Sequence, residues 1–249
     1  MIKDISAVII TKNALPTLKD TLASLKDFEE VLVYDNGSDD GTLELLRETP
    51  NVRLEQGEFM GFGPTKQHAV NLASNDWVLS LDADETLTPE LQDELKHWTT
   101  QHSADTLAYV LRNNFFLGQK VRYSGWGNDW LIRLFNRQHC NFNDAMVHEN
   151  ITVPADSKKV RLKAPINHAA VTELNQFLTK VNRYSDIRAA TMKKKHHPAV
   201  TLLKAMFAFF RTYILKLGIL DGWPGLVISV SNANGVFWKN IKRYYRDKN

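Results

Sequence analysis

The first hundred residues repeat one arrangement: a short unbroken apolar run, a polar turn, then apolar residues recurring at helical spacing. Residues 5–10 are a continuous apolar run, which predicts a strand buried on both faces. Asn13 then offers an N-cap, Pro16 lies in a first helical turn, and Leu18, Leu22 and Leu25 form one stripe. The same reading predicts strands over 31–34, 52–54 and 77–81, and helices over 42–48 and 64–74. Thr88-Pro89-Glu90 opens a further helix through Trp98. Repeated β-α-β units of this kind fold as a mostly parallel sheet with helices over its faces.

Beyond Thr106 the pattern changes. Strands are predicted over 107–116, 120–123, 131–136 and 159–163 with no helix between them, so this part of the sheet should be mixed or antiparallel. Helical patterns return over 173–195, 199–220 and 226–245. The expected fold class is α/β, a Rossmann-like mostly parallel sheet with a mixed second half and C-terminal helices. The expected domains are residues 1–172 and a helical extension, 173–249.

At 249 residues, 43% hydrophobic and 24% charged, the chain is not disordered. One cysteine, Cys140, excludes an internal disulfide or a cysteine-cluster zinc site and suits a reducing compartment. The N-terminal apolar run is too short for a signal-peptide core. The longest uncharged stretch, 222–238, is broken by glycine, proline and asparagine, and the charges within 199–217 interrupt that apolar segment, so no transmembrane helix is expected. The net charge of +3 hides an asymmetry. Residues 180–249 carry 14 Lys/Arg against three Asp, or +11, and residues 1–179 carry 17 against 25 acidic residues, or −8. A basic end on an acidic body points to an anionic partner.

In open parallel sheets, ligands collect at the carboxyl ends of strands near a switch in strand order. Three polar clusters fall there: Thr11-Lys12-Asn13, then Asp35 through Thr42, then Asp82-Ala83-Asp84-Glu85. Asp82 and Asp84 are two apart at the end of an extended segment and project to one side. Such a pair suits Mg²⁺ or Mn²⁺ with phosphate oxygens and waters, although the same residues could merely cap the next helix.

SAVIITKN, VYDNGSDDGT and NDWVLSLDADE, in this order and spacing, resemble the inverting, family-two type of nucleotide-sugar glycosyltransferase, whose fold is the GT-A domain. WLIRLF, MVHEN and ILDGWPG resemble a narrower subgroup that includes glucosyltransferases of the lipopolysaccharide core. The resemblance implies a nucleotide-sugar-binding and catalytic domain over 1–172. It implies that Thr11, Asn13, Asp35, Lys66 and Asp82 bind a UDP-sugar donor, and that Asp84 holds the divalent cation. It further implies that Glu149 is the base for inversion. Asp144 is the reserve and Asp129 a third candidate, and His148 would orient the base or touch the acceptor. On residue type alone Lys66 could equally face solvent. Arg133 could bind phosphate or sit on the surface of an edge strand.

The segment 199–217 is rich in large apolar residues with Lys204, Arg211 and Lys216 interspersed. It fits a helix lying in a membrane surface, or one buried in the core. The expected partners are therefore a UDP-sugar, a lipid-linked anionic oligosaccharide acceptor and the cytoplasmic face of the inner membrane, with glucose from UDP-glucose as the group moved to an inner-core lipopolysaccharide. Competing readings are transfer to another polysaccharide or lipid carrier, a catalytically dead sugar-nucleotide sensor, and a nucleic-acid-binding module that would make no use of the carboxylates at 35, 82 and 84.

Overall fold

The computed structural model describes residues 1–147 and 149–246. Its elements in chain order begin with β1 (Ile2–Thr11), α1 (Leu15–Ala23), β2 (Phe28–Asp35), α2 (Thr42–Glu48), β3 (Val52–Gln56) and α3 (Phe62–Leu72). There follow β4 (Trp77–Asp82), β5 (Glu85–Leu87), α4 (Pro89–Leu95), α5 (Trp98–Gln101), β6 (Thr106–Phe116), β7 (Gln119–Val121) and β8 (Asp129–Asn136). The remainder are β9 (Asn141–Phe142), β10 (Ile151–Thr152), β11 (Lys158–Arg161), β12 (Ile166–Val171), α6 (Leu174–Thr191), α7 (Pro198–Phe210) and α8 (Trp223–Arg246). Two compact units divide the chain: Met1–Arg112 with Asp129–His168, and Asn113–Asn128 with Ala169–Asn249. The division thus falls after His168, and the end of β6 with all of β7 goes with the helices.

In the first unit β1 pairs in parallel with β2 and β4, and β2 with β3, giving the order β3-β2-β1-β4. β8 joins β4 antiparallel and β6 joins β8 antiparallel, so the change of direction expected after Thr106 is present. Residues of β1 alternate between two cores. Ile5, Ala7 and Ile9 pack with Leu18 and Leu22 of α1, while Val8 packs with Ala69 and Val70 of α3. This double burial is why the strand is a continuous apolar run. Thr88 caps α4, its Oγ1 accepting from the Leu91 N–H at 3.3 Å, with Pro89 in the first turn.

Four strands escaped the sequence pattern: the two-residue pair β9 and β10, and β5 and β12. β5 and the start of β12 pair antiparallel, Ile166 opposite Leu87 and His168 opposite Glu85. Neither segment alternates or runs apolar for long enough to register as a strand.

The second unit is built on Phe116, which is fully buried against Trp126, Phe177 and Trp223. The ILDGWPG segment stitches this unit together. Asp221 accepts from the Arg122 N–H at 2.8 Å and from Ser124 Oγ at 2.7 Å. A Cβ at Gly225 would lie 1.8 Å from the Gly218 carbonyl oxygen, so only glycine permits that approach. The helix expected over 199–220 is interrupted: α7 passes into a π-helical turn at Arg211–Leu215, and Leu217 then adopts a positive φ of 54°. By length and composition only, Pro198–Leu215 is apolar enough to cross a membrane, and it is the one such segment among the described residues. Lys204 and Arg211 are the charged residues within it.

Candidate active site

The strand register brings the polar clusters to one edge. Thr11 lies opposite Asp35, and Ile10 opposite Asp82. This edge is the carboxyl end of β1 and β4, where the strand order switches. Asp35 is wholly buried and shapes its own turn: Oδ1 accepts the N–H groups of Gly37 and Ser38 at 2.9 Å each, and Oδ2 accepts from Ser38 Oγ at 2.5 Å. Ser38 Oγ in turn accepts the Asn13 N–H at 2.8 Å, and the Asn13 amide exchanges two hydrogen bonds with Asp39 at 2.9 Å. Thr11 Oγ1 is buried beside them with no hydrogen-bond partner. An unsatisfied buried hydroxyl marks a place where a ligand atom would be stabilised.

Lys66 does not face solvent. It is 5% exposed, and its Nζ lies 2.8 Å from Asp82 Oδ1 and 2.7 Å from Glu149 Oε1. One ammonium therefore joins the strand-end carboxylate to the base candidate, across 67 residues of sequence from one to the other. What holds Glu149 there is backbone stitching between α3 and the segment before it. The Phe62 N–H donates to the Met146 carbonyl at 3.1 Å, and the Gly63 N–H to the Ala145 carbonyl at 2.9 Å. Gln67 Oε1 accepts the Phe142 N–H at 2.6 Å. A Cβ at Gly63 would come within 2.0 Å of the Asn143 carbonyl oxygen. Gly63→Ala is accordingly expected to push this segment and Glu149 away from Lys66, lowering kcat about a hundredfold. Steady-state kinetics, with circular dichroism confirming the fold, check this.

Arg133 is a central residue. β8 runs between β4 and β6, so the edge-strand placement is corrected. Its Nη2 is 2.7 Å from Asp82 Oδ2 and 2.5 Å from Glu85 Oε1. Arg112 on β6 reaches Glu85 Oε1 at 3.2 Å and Asp129 Oδ2 at 2.8 Å. Burial alone would raise the Asp82 carboxyl, but Arg133 and Lys66 outweigh it and hold it well below the usual range. Glu85, wholly buried, is pushed up, first by burial and also by the charge of Asp82, against the pull of Arg133. Asp82 is thus ionised and clamped by two cations.

Asp84 is placed differently. Its Oδ2 lies 3.4 Å from His168 Nε2, and its Oδ1 is buried with no hydrogen-bond partner. No group of three or more His, Cys, Asp or Glu among the described residues could hold a metal ion. A buried carboxylate oxygen without a partner nevertheless fits a hard cation that takes most of its ligands from phosphate and water.

Asp129 is engaged by Arg112, and Asp144 is exposed. His148 lies outside the described residues. Three residues central to the cluster, Glu85, Arg112 and His168, were not singled out from the sequence. The signal available for the arginines was their position inside apolar strands, where a guanidinium needs buried carboxylates.

Carboxylates and cations gathered at a switch point of this kind suit transfer from an activated, phosphate-bearing donor, which is the work of a nucleotide-sugar transferase. The glycosyl transferase family 2 model matches residues 6–153, and the chain belongs to that family. A glycosyltransferase of Rickettsia prowazekii is 29% identical over 254 residues, spanning 96% of this chain and 86% of the relative. The lipopolysaccharide core biosynthesis glycosyltransferase LpsC of Rhizobium meliloti is 25% identical, over 97% of this chain and 92% of its own. Among solved structures, S. aureus TarS 1–349 overlays 99% of this chain and 92% of that one at 15% identity and a TM-score of 0.46, too low to add to the family match.

Proposed function

We propose that this glycosyltransferase moves glucose from UDP-glucose onto an inner-core lipopolysaccharide acceptor, with inversion, at the cytoplasmic face of the inner membrane. The observation that carries the reading is the Lys66 bridge between Asp82 and Glu149, beside the unpartnered Oδ1 of Asp84. Support for the acceptor comes from the likeness to LpsC and from the +11 charge of residues 180–249. Support for a membrane location comes from the exposed apolar residues of α7, among them Leu203, Met206 and Phe207.

Inversion requires a single in-line displacement, in which a carboxylate takes the proton of the acceptor hydroxyl as the sugar–phosphate bond breaks. Glu149 Oε1 is held by Lys66, and no described residue donates to its Oε2, which leaves that oxygen to accept the proton in this reading. Thr11 and the Asp35–Ser38 turn line the edge that takes the nucleoside. Lys66, paired with Asp82, also lies where it can meet an anionic donor. Asp84 with His168 would hold Mg²⁺ or Mn²⁺, which when bound neutralises charge on the leaving diphosphate. A carboxylate-rich site would otherwise repel that diphosphate.

The test is calorimetric titration of UDP into the full chain with Mn²⁺ and then with EDTA. Binding is expected with the metal and lost with the chelator. Asp84→Ala is expected to weaken Mn²⁺-dependent UDP binding by about a hundredfold. Equal affinity in the variant would remove Asp84 as a ligand, and strong salt-dependent affinity for DNA with no UDP binding would favour the nucleic-acid reading.

A further inference from the structure

Residues 169–246 carry 13 Lys/Arg but only three carboxylates, Glu173, Asp186 and Asp221. All three are engaged elsewhere. Asp221 accepts from the Arg122 N–H and Ser124, Asp186 meets Lys242 at 2.9 Å, and Glu173 accepts from Gln176 at 2.7 Å. The packing of α6, α7 and α8 then gathers four cations that these carboxylates do not reach.

Asn232 Nδ2 on α8 donates to Thr212 Oγ1 at 3.3 Å, and the Tyr244 ring meets His197 edge-on with centroids 6.5 Å apart. α7 therefore runs antiparallel to α8, and midway between the two ties lie Lys204 on one helix and Lys239 on the other. Arg211, two turns beyond Lys204, continues the same side. Lys242 Nζ ties α8 to Asn182 Oδ1 and Ser185 Oγ of α6 at 2.7 Å each, and Arg188 is one turn further along that helix. The half-buried Lys239 ammonium is pushed below its usual value, first by burial and then by the charges of Arg188, Lys204 and Arg211. None of these four is paired with a carboxylate among the described residues; Lys204 Nζ has His196 Nε2 at 2.6 Å.

Four like charges drawn together without a counter-ion repel one another, and a bound anion relieves that repulsion. The residues around them are apolar and open. Phe207, between Lys204 and Arg211 on the helix, is 59% exposed, and Leu203, Met206 and Ile187 are exposed as well. Cations set in an exposed apolar face match the phosphate-over-acyl layering of a bilayer surface better than they match a soluble anion.

We propose that Arg188, Lys204, Arg211 and Lys239 form a binding site for the phosphates of anionic phospholipid headgroups, set within an apolar helical face that enters the bilayer surface. The site rests on the membrane part of the reading above and is independent of the transfer chemistry.

The test is co-sedimentation of the full chain with vesicles of phosphatidylcholine alone and of phosphatidylcholine with phosphatidylglycerol. The wild type is expected to prefer the anionic vesicles. The double variant Arg188→Ala/Lys204→Ala is expected to bind them about thirtyfold more weakly, with phosphatidylcholine binding unchanged. Lys19→Ala/Lys26→Ala removes the same net charge from exposed positions of the first unit and is expected to change little. Equal losses in the two double variants, or a wild type with no anionic preference, overturn the site alone. No binding to either vesicle overturns membrane association with it, as does a wild type that sediments as a dimer closed by this face. Mn²⁺-dependent UDP affinity in the same variants, expected to be unchanged, keeps these outcomes apart from failure of the transferase reading.

Discussion

Glu149→Gln is expected to bind UDP and the UDP-sugar as the wild type does and to lose transfer by about 10²–10⁴-fold. The substitution keeps an oxygen that can accept from Lys66, so the 2.7 Å contact and the surrounding segment should persist. What disappears is the carboxylate proposed to take a proton from an incoming hydroxyl. Single-turnover transfer measured beside UDP calorimetry separates the two effects. A fully active variant would pass the base role to Asp144, which is exposed and lies five residues before Glu149. Loss of donor binding together with transfer would instead make Glu149 part of the donor site, acting through Lys66 and Asp82.

Arg133→Ala is expected to give the largest loss of stability of any substitution in the cluster, about 3–5 kcal/mol. The guanidinium is 6% exposed and is the closest cation to both Asp82 Oδ2 and the wholly buried Glu85. Removing it leaves Asp82 with Lys66 and the wholly buried Glu85 with only the more distant Arg112, so the cost is that of under-compensated buried charge rather than of a lost surface pair. Thermal unfolding should move down by roughly 10 °C or more. Arg112, more exposed and 3.2 Å from Glu85, should matter less. The triple variant Arg133→Ala/Asp82→Asn/Glu85→Gln should recover much of the loss, because neutral amides do not require the cation. A single variant that unfolds at the wild-type temperature would show that water already solvates this pair.

Much of the first unit could be read from residue order. A strand buried on both faces reads as a nearly continuous apolar run, and Ile5 through Ile10 and Trp77 through Leu81 are such runs, broken only by Ser6 and Ser80. The polar clusters after them lie at strand ends near a switch point, the places a doubly wound sheet leaves open. That logic located Thr11, Asp35, Asp82 and Asp84. It could not reach β5 or β12, whose segments are short and mixed in polarity, and so it passed over Glu85 and His168.

The helices of the second unit were legible as helices and misread in detail. Apolar spacing runs through 199–220 without a break, yet Leu217 turns to positive φ and the backbone passes through a π-turn. Beside those irregularities lie the close approach of Gly225 to Gly218 and the engagement of Asp221, neither of which spacing encodes.

Sequence alone determined the class of fold, the four-strand parallel half, the position of its open edge and the excess of positive charge near the C-terminus. These depend on periodicity, turn chemistry and counting, which are local or additive properties. Only the tertiary structure decided which charges meet. It placed Lys66 between Asp82 and Glu149, made Arg133 a buried counter-ion instead of a surface residue, left one oxygen of Asp84 without a partner, and drew four cations together across three helices. Pairing of charges distant in the chain is set by strand register and by backbone stitching between loops. Neither leaves a periodic trace in the order of residues.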